Sequence, residues 1–137
     1  GEGGYGSVYL GKFSGIEVAI KEYGKRKLLK RSAEEFVKEV EVISNLRHPN
    51  IVLYMGACIH KGKYLMITEY LEEGSLFDHL HKKHTKISED VMFNIIEDIA
   101  LGMCYLHGRK VLHCDLKSSN ILVLRDVFVN QSLIFKM

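Results

Sequence analysis

The chain has 137 residues, enough for one domain or part of one, and its 47% hydrophobic and 26% charged residues are those of a folded globular protein. Against 17 acidic residues stand 19 lysines and arginines, and a formal charge of +2 is too small to argue for nucleic acid or a membrane surface as partner. No apolar run approaches the ~20 residues that span a bilayer, and three cysteines without a CxxC pair argue against a disulfide framework or a structural zinc site and fit a reducing, cytoplasmic setting.

The chain opens GEGGYGSVYL, with glycines at 1, 3, 4 and 6, and has neither an initiator Met nor a signal peptide. Beginning inside a motif, it reads as a piece of something longer. Ser7 to Lys12 alternates as a strand, Ser14-Gly15 signals a turn, and EVAIKE from Glu17 to Glu22 closes a hairpin. Lys25, Arg26, Lys27, Lys30 and Arg31 form a basic stretch read as a solvated connection. Ser32 and Glu35 form a capping box that starts a helix to about Leu46, with Phe36, Val40 and Ile43 as its apolar stripe. His48-Pro49-Asn50 stops it. Ile51 to Cys58 and Tyr64 to Glu69 read as strands around a turn at residues 60–63. The order is strand, strand, helix, strand, strand, with an earlier strand expected before Gly1.

A short helix is expected over residues 75–84, SLFDHLHKKH, with His79, His81 and His84 as solvated side chains rather than metal ligands. Ser88 caps a long helix that runs to about His107. Val91, Ile95, Ile99, Met103 and Leu106 line one face, and Met92, Ile96 and Ala100 a neighbouring one, so cover is expected on more than one side. VLHCDLKSSNILVL, residues 111–124, reads as strand, tight loop and strand.

Gly1-Glu2-Gly3-Gly4-Tyr5-Gly6 matches GxGxxG, a weak signal alone. In a dinucleotide-binding fold that loop opens a helix. Here a hairpin follows, so the glycines suit a flap whose backbone N–H groups cover phosphates, with Tyr5 at its tip. Lys21 lies in an apolar strand beside Ala19 and Ile20, where an ammonium needs a partner. A phosphate and a helix carboxylate would satisfy it. Glu39 is the candidate, on the turns that carry Phe36, Val40 and Ile43, whereas Glu35 is committed to the cap and Glu41 points elsewhere.

His113-Cys114-Asp115-Leu116-Lys117-Ser118-Ser119-Asn120 resembles the protein kinase catalytic loop, HRDLxxxN, and it follows GxGxxGxV, VAIK and RHPNIV in order and spacing. The resemblance runs from Gly1 to about Leu124. LRHPNIVLYMGAC and DLKSSNIL are most similar to the tyrosine-kinase-like, Raf-like branch of serine/threonine kinases. It implies an α+β, two-lobe fold: an N-lobe over 1–68, a hinge over 69–73, the start of a helical C-lobe over 74–124, and a tail over 125–137 outside the resemblance.

It also implies ATP-dependent phosphoryl transfer to a protein Ser or Thr, with ATP and Mg²⁺ as cofactors and a protein substrate as partner. Gly1, Gly3, Gly4, Tyr5 and Gly6 would cover the phosphates. Lys21 would contact the α- and β-phosphates and pair with Glu39. Asp115 would orient the substrate hydroxyl, Lys117 steady the γ-phosphate, and Asn120 hold one Mg²⁺. Val8, Ala19 and Leu122 would sandwich the adenine. Thr68 would limit the back pocket, and the Glu69 carbonyl and Leu71 N–H would pair with the adenine edge through backbone, so that side-chain identity there matters little. His113, with Ile43 and Tyr54, would belong to a structural column.

Two departures stand out. Cys114 replaces the family's usual Arg, which meets a phosphorylated activation loop. The DFG aspartate expected some thirteen residues after Asn120, near Leu133, is missing from QSLIF. The catalytic domain is therefore expected to be inactive alone. The alternative is a non-catalytic ATP-binding or interaction module, with partner binding or self-association through the open face of the 88–107 helix.

Overall fold

Ser14 and Gly15 have φ of 50° and 83°, left-handed at both central positions of a two-residue turn. That twist matches the flanking strands, so β2 (Gly6–Phe13) folds back on β3 (Ile16–Tyr23) with Phe13 opposite Ile16. In the computed structural model the described residues are 2–3, 6–23, 33–125 and 133–136, with the backbone alone described at 2, 3, 6, 125 and 133–136. The basic stretch and the Ser32 capping box lie outside them, as do Gly1, Gly4 and Tyr5.

The chain divides into two units, Gly1–Arg47 with Leu53–Tyr70, and His48–Val52 with Leu71–Met137. The first holds a five-stranded sheet in the order β1-β2-β3-β5-β4, with β1 (Glu2–Gly3), β4 (Tyr54–His60) and β5 (Lys63–Glu69). All its pairs are antiparallel. β1 lies within the glycine motif itself, where Glu2 pairs with Ser7 and Gly3 with Gly6. No helix separates β2 from β3, which removes the dinucleotide-binding reading.

α1 (Ala33–Ser44) lies on this sheet because its stripe is apolar at helical spacing. Phe36 is buried with Tyr23 and Met66, and Val40, Ile43, Tyr54 and Tyr64 pack around them. The Phe36 ring meets Tyr23 edge-on at 5.7 Å and Tyr64 at 5.0 Å, the geometry that aromatic quadrupoles favour. α1 ends at Ser44, before the expected Leu46. Ser44 Oγ and Asn45 Nδ2 donate to the Glu41 carbonyl at 3.0 and 2.7 Å and satisfy the frayed end.

β4 begins at Tyr54 rather than at Ile51. Ile51 N–H instead donates to the His48 carbonyl at 3.0 Å, and residues 48–52 fold with the second unit. There His48 stacks on Tyr105 at 4.8 Å, and the buried Asn50 donates from Nδ2 to Asp98 Oδ1 at 2.8 Å.

The second unit contains α2 (Leu76–His81), α3 (Glu89–Gly108), a 3₁₀ turn (Ser118–Asn120) and the antiparallel pair β6 (Leu122–Arg125) and β7 (Leu133–Lys136). The strand expected at the start of residues 111–124 is not formed: residues 111–116 have no regular structure. α2 stops at His81 rather than His84, whose φ of 50° does not continue a helix.

His79 is a correction. It is 9% exposed, with Nε2 3.0 Å from the Glu73 carbonyl and Nδ1 3.2 Å from Thr85 Oγ1. It shares a helix face with the buried Leu76, three residues earlier.

α3 is capped by Ser88, whose hydroxyl accepts from Val91 N–H at 3.4 Å. It buries Ile95, Gly102 and Leu106. The neighbouring face stays open, with Met92 47%, Ile96 55% and Phe93 65% exposed. Among the described residues, the expected cover on a second side is not found. No helix there is long and apolar enough to cross a membrane.

Candidate active site

The first group of site residues is placed by sheet register. Directly opposed residues of an antiparallel pair share a face, as do alternate residues of one strand. Val8 opposes Lys21, Leu10 opposes Ala19, and Ala19 opposes Thr68. Val8, Ala19, Lys21 and Thr68 therefore line one face, together with Tyr23 and Met66, which α1 covers.

Tyr23 ties this face to the helix. Its hydroxyl lies 3.5 Å from Glu39 Oε1, and Lys21 Nζ lies 5.5 Å from its ring centroid. Lys21 and Glu39 thus converge on one tyrosine, while Glu41 is exposed elsewhere on the helix. Tyr23 is a site residue the sequence reading missed. The available signal was its position two residues after Lys21.

The second group is built by bonds local in sequence. Asn120 sits in the 3₁₀ turn, its N–H donating to the Lys117 carbonyl at 2.8 Å. Its Nδ2 donates to the Asp115 carbonyl at 2.8 Å and to Asp115 Oδ2 at 2.9 Å. Lys117 Nζ lies 2.9 Å from the same Oδ2. These two cationic or donor partners, Lys117 first and Asn120 second, hold the Asp115 carboxyl below its ordinary range. Asp115 is thus a carboxylate at neutral pH, on a solvent-exposed side chain able to accept a proton or a hydroxyl hydrogen bond.

His113 Nδ1 accepts from Asp115 N–H at 3.3 Å and steadies the loop. Cys114 is exposed and has φ of 61°, a backbone state few side-chain-bearing residues adopt.

The loop is anchored to α2. Leu76 N–H donates to the Ile121 carbonyl at 2.8 Å, and Val123 N–H to the Gly74 carbonyl at 2.9 Å, on either side of Leu122. Leu71 is buried at the start of this unit, and its carbonyl accepts from Gly74 N–H at 3.2 Å.

For a metal the donor set is thin. Both Asn120 side-chain bonds come from Nδ2, so its amide oxygen is the atom able to ligate a cation. Among the described residues no group of three or more His, Cys, Asp or Glu could hold a metal ion. One protein oxygen suits Mg²⁺ only where phosphates and water complete the shell.

A five-stranded antiparallel sheet with one packed helix carrying a Lys–Glu constellation, followed by a helical unit with an Asp–Lys–Asn loop, is the plan of a protein kinase domain. The chain belongs to the protein tyrosine and serine/threonine kinase family, whose description matches residues 1–132 and so extends past Leu124. It is 39% identical over 125 residues to the probable serine/threonine-protein kinase drkB of Dictyostelium discoideum, covering 90% of this chain and 18% of that protein. It is 42% identical over 125 residues to the probable serine/threonine-protein kinase SIS8 of Arabidopsis thaliana, covering 90% of this chain and 12% of that protein. It is also 42% identical over 134 residues to the dual specificity protein kinase pyk3 of Dictyostelium discoideum, covering 95% of this chain and 9% of that protein. The chain thus spans less than a fifth of the length of each of these relatives.

Proposed function

We propose that this chain carries the nucleotide-binding and catalytic-loop part of a serine/threonine protein kinase of the tyrosine-kinase-like, Raf-like branch. The observation that carries the reading is Asp115 kept ionised by Lys117 and Asn120 on one short loop. Bound Mg·ATP supplies a γ-phosphoryl group whose charge the metal partly neutralises.

Asp115 then orients a substrate Ser or Thr hydroxyl toward the γ-phosphorus and accepts its proton as the new P–O bond forms and ADP leaves. Lys117 faces the γ-phosphate oxygens, and Asn120 offers its amide oxygen to Mg²⁺. On the sheet, Lys21 receives the α- and β-phosphates and is steadied by Glu39. Gly1, Gly3, Gly4, Tyr5 and Gly6 supply backbone N–H groups above them. Val8, Ala19 and Leu122 hold the adenine, Thr68 limits the pocket behind it, and the Glu69 carbonyl and Leu71 N–H read its edge. Lys117 favours Ser and Thr over Tyr as acceptors.

A second reading is an ATP-binding or interaction module without transfer activity, with the open face of α3 meeting a partner or a second copy. The missing DFG sequence favours it. The test is transfer of radiolabelled phosphate from Mg·ATP to a generic protein substrate, with Asp115→Asn as control. The expected result is slow transfer that Asp115→Asn lowers by about 10²–10⁴-fold, the usual worth of a positioned base. Transfer unaffected by that substitution overturns the catalytic reading. Nucleotide binding with no transfer selects the module.

A further inference from the structure

We infer that Thr85 is a phosphoryl-acceptor site, and that His79 takes its hydroxyl proton and then holds the new phosphate. The site uses none of the residues assigned to the nucleotide or the catalytic loop. His79 is 9% exposed, and its two ring nitrogens meet partners of different kinds. The Glu73 carbonyl, 3.0 Å from Nε2, can only accept, so Nε2 carries a proton. In the neutral ring Nδ1 is then an acceptor, and the Thr85 hydroxyl 3.2 Å away donates to it.

The main chain fixes this aim. Thr85 N–H donates to the His79 carbonyl at 2.8 Å, and His84, with φ of 50°, turns the chain back between them. Thr85 is nevertheless exposed, and residues 84–88 have no regular structure, so a donor can reach its hydroxyl. The charges around it favour an added anion. Lys82, Lys83 and Lys86 flank Thr85 in sequence, and Lys83 Nζ lies 3.4 Å from His79 Nε2. Of the nearby acids, Asp78 is bound to Lys82 at 2.6 Å. The Glu73 carboxylate lies 3.9 Å from Nε2 and 3.6 Å from Lys83 Nζ, at the ring nitrogen that Thr85 does not contact.

Transfer from Mg·ATP by a protein kinase, a second copy of this chain or another, forms the bond from Thr85 Oγ to the γ-phosphorus. It breaks the bond from that phosphorus to the β–γ bridging oxygen, and ADP leaves. The hydroxyl proton passes to His79 Nδ1. The oxygens of the ionised phosphate only accept, so the roles reverse: Nδ1–H of the imidazolium donates to the phosphate while Nε2–H keeps the Glu73 carbonyl. A neutral hydrogen bond becomes a charge-assisted one, about twice as strong, and residues 73–85 are held more tightly.

The test incubates the full chain with Mg·ATP, alone and with a purified protein kinase selective for lysine-flanked threonines, and maps phosphate by fragment mass spectrometry. Phosphate on Thr85 is expected. Its appearance without the added kinase, and its loss in Asp115→Asn, identifies a copy of this chain as the source; its appearance only with the added kinase identifies another kinase. On the phosphorylated chain, phosphorus-31 NMR against pH should place the second phosphate ionisation at about 5, below its ordinary value of about 6. His79→Gln, whose amide can still donate to the Glu73 carbonyl but takes up no proton, should abolish most of that difference. In the wild type, with no substitution, phosphorylation should move the nitrogen-15 signal of His79 Nδ1 from the range of an acceptor nitrogen to that of a protonated one. No phosphate on Thr85 in either arm, an ionisation unchanged by His79→Gln, or an unmoved Nδ1 signal each overturns the inference.

Discussion

Lys21 and Asp115 are held by opposite means. Lys21 owes its place to pairing between distant segments: β3 lies between β2 and β5, and α1 packs over the Tyr23–Phe36–Met66 cluster that borders it. Asp115 is held by His113, Lys117 and Asn120, all within five residues of it. A group fixed by long-range packing is sensitive to substitutions far from it, and a group fixed locally is sensitive mainly to its immediate partners. The two groups should therefore fail independently.

The largest expected effect is on the first group. Phe36→Ala removes a buried ring that touches Tyr23 and Tyr64 and should cost the sheet unit about 3–5 kcal/mol. Denaturant unfolding followed by tyrosine fluorescence measures it. Carbon-13 signals of Asp115 should keep their titration even when that unit unfolds; a change that accompanies the unfolding would mean the two groups are not separable.

Ser75→Ala should cost about 1 kcal/mol, the worth of an N-cap. Ser75 Oγ accepts from Asp78 N–H at 3.2 Å and donates to Asp78 Oδ2 at 2.5 Å, while Ser75 N–H donates to the same Oδ2 at 3.2 Å. The effect should appear as faster amide exchange through Leu76–His81 and in the 2.8 Å bond from Leu76 N–H to Ile121.

Asn120→Ala should leave unfolding midpoints nearly unchanged and act on Asp115 alone. Losing the Asn120 donor raises the Asp115 carboxyl toward its ordinary value, while Lys117 still holds it partly down. A carbon-13 pH titration reads this; an unshifted curve would mean Lys117 alone sets the carboxylate.

The smallest effect is the acid response of α2. Lys82 first, then Ser75, lower the Asp78 carboxyl from 3.8 to about 2. A carboxylate depressed in the folded state stabilises it fully above the unfolded value and loses that contribution as pH falls through the folded one. Stability of α2 should therefore decline between pH 3.8 and about 2, and Lys82→Ala should move that decline upward. Far-ultraviolet circular dichroism against pH measures both.

Much of the fold was legible because its patterns are local. EVAIKE alternates, and β3 spans Ile16–Tyr23, one residue longer at each end. The spacing of Phe36, Val40 and Ile43 placed α1, and Ser88 placed the start of α3. Asp115, Lys117 and Asn120, which the resemblance to the kinase catalytic loop singles out, come together because a loop that short closes on itself.

Other features depended on segments far apart in sequence. His79 stands among lysines and histidines and reads as solvated, yet Glu73 and Thr85 enclose it when the chain folds around α2. Ile51 and Val52 look like the start of β4, but His48 stacking on Tyr105 and Asn50 binding Asp98 draw that segment to α3. The bond from Leu53 N–H to the Glu69 carboxylate depends on Leu53 lying opposite it. Periodicity and capping are properties of neighbouring residues and are written in the chain. Which polar group meets which partner is decided by pairing across the fold, where burial requires every donor and acceptor to find a bond.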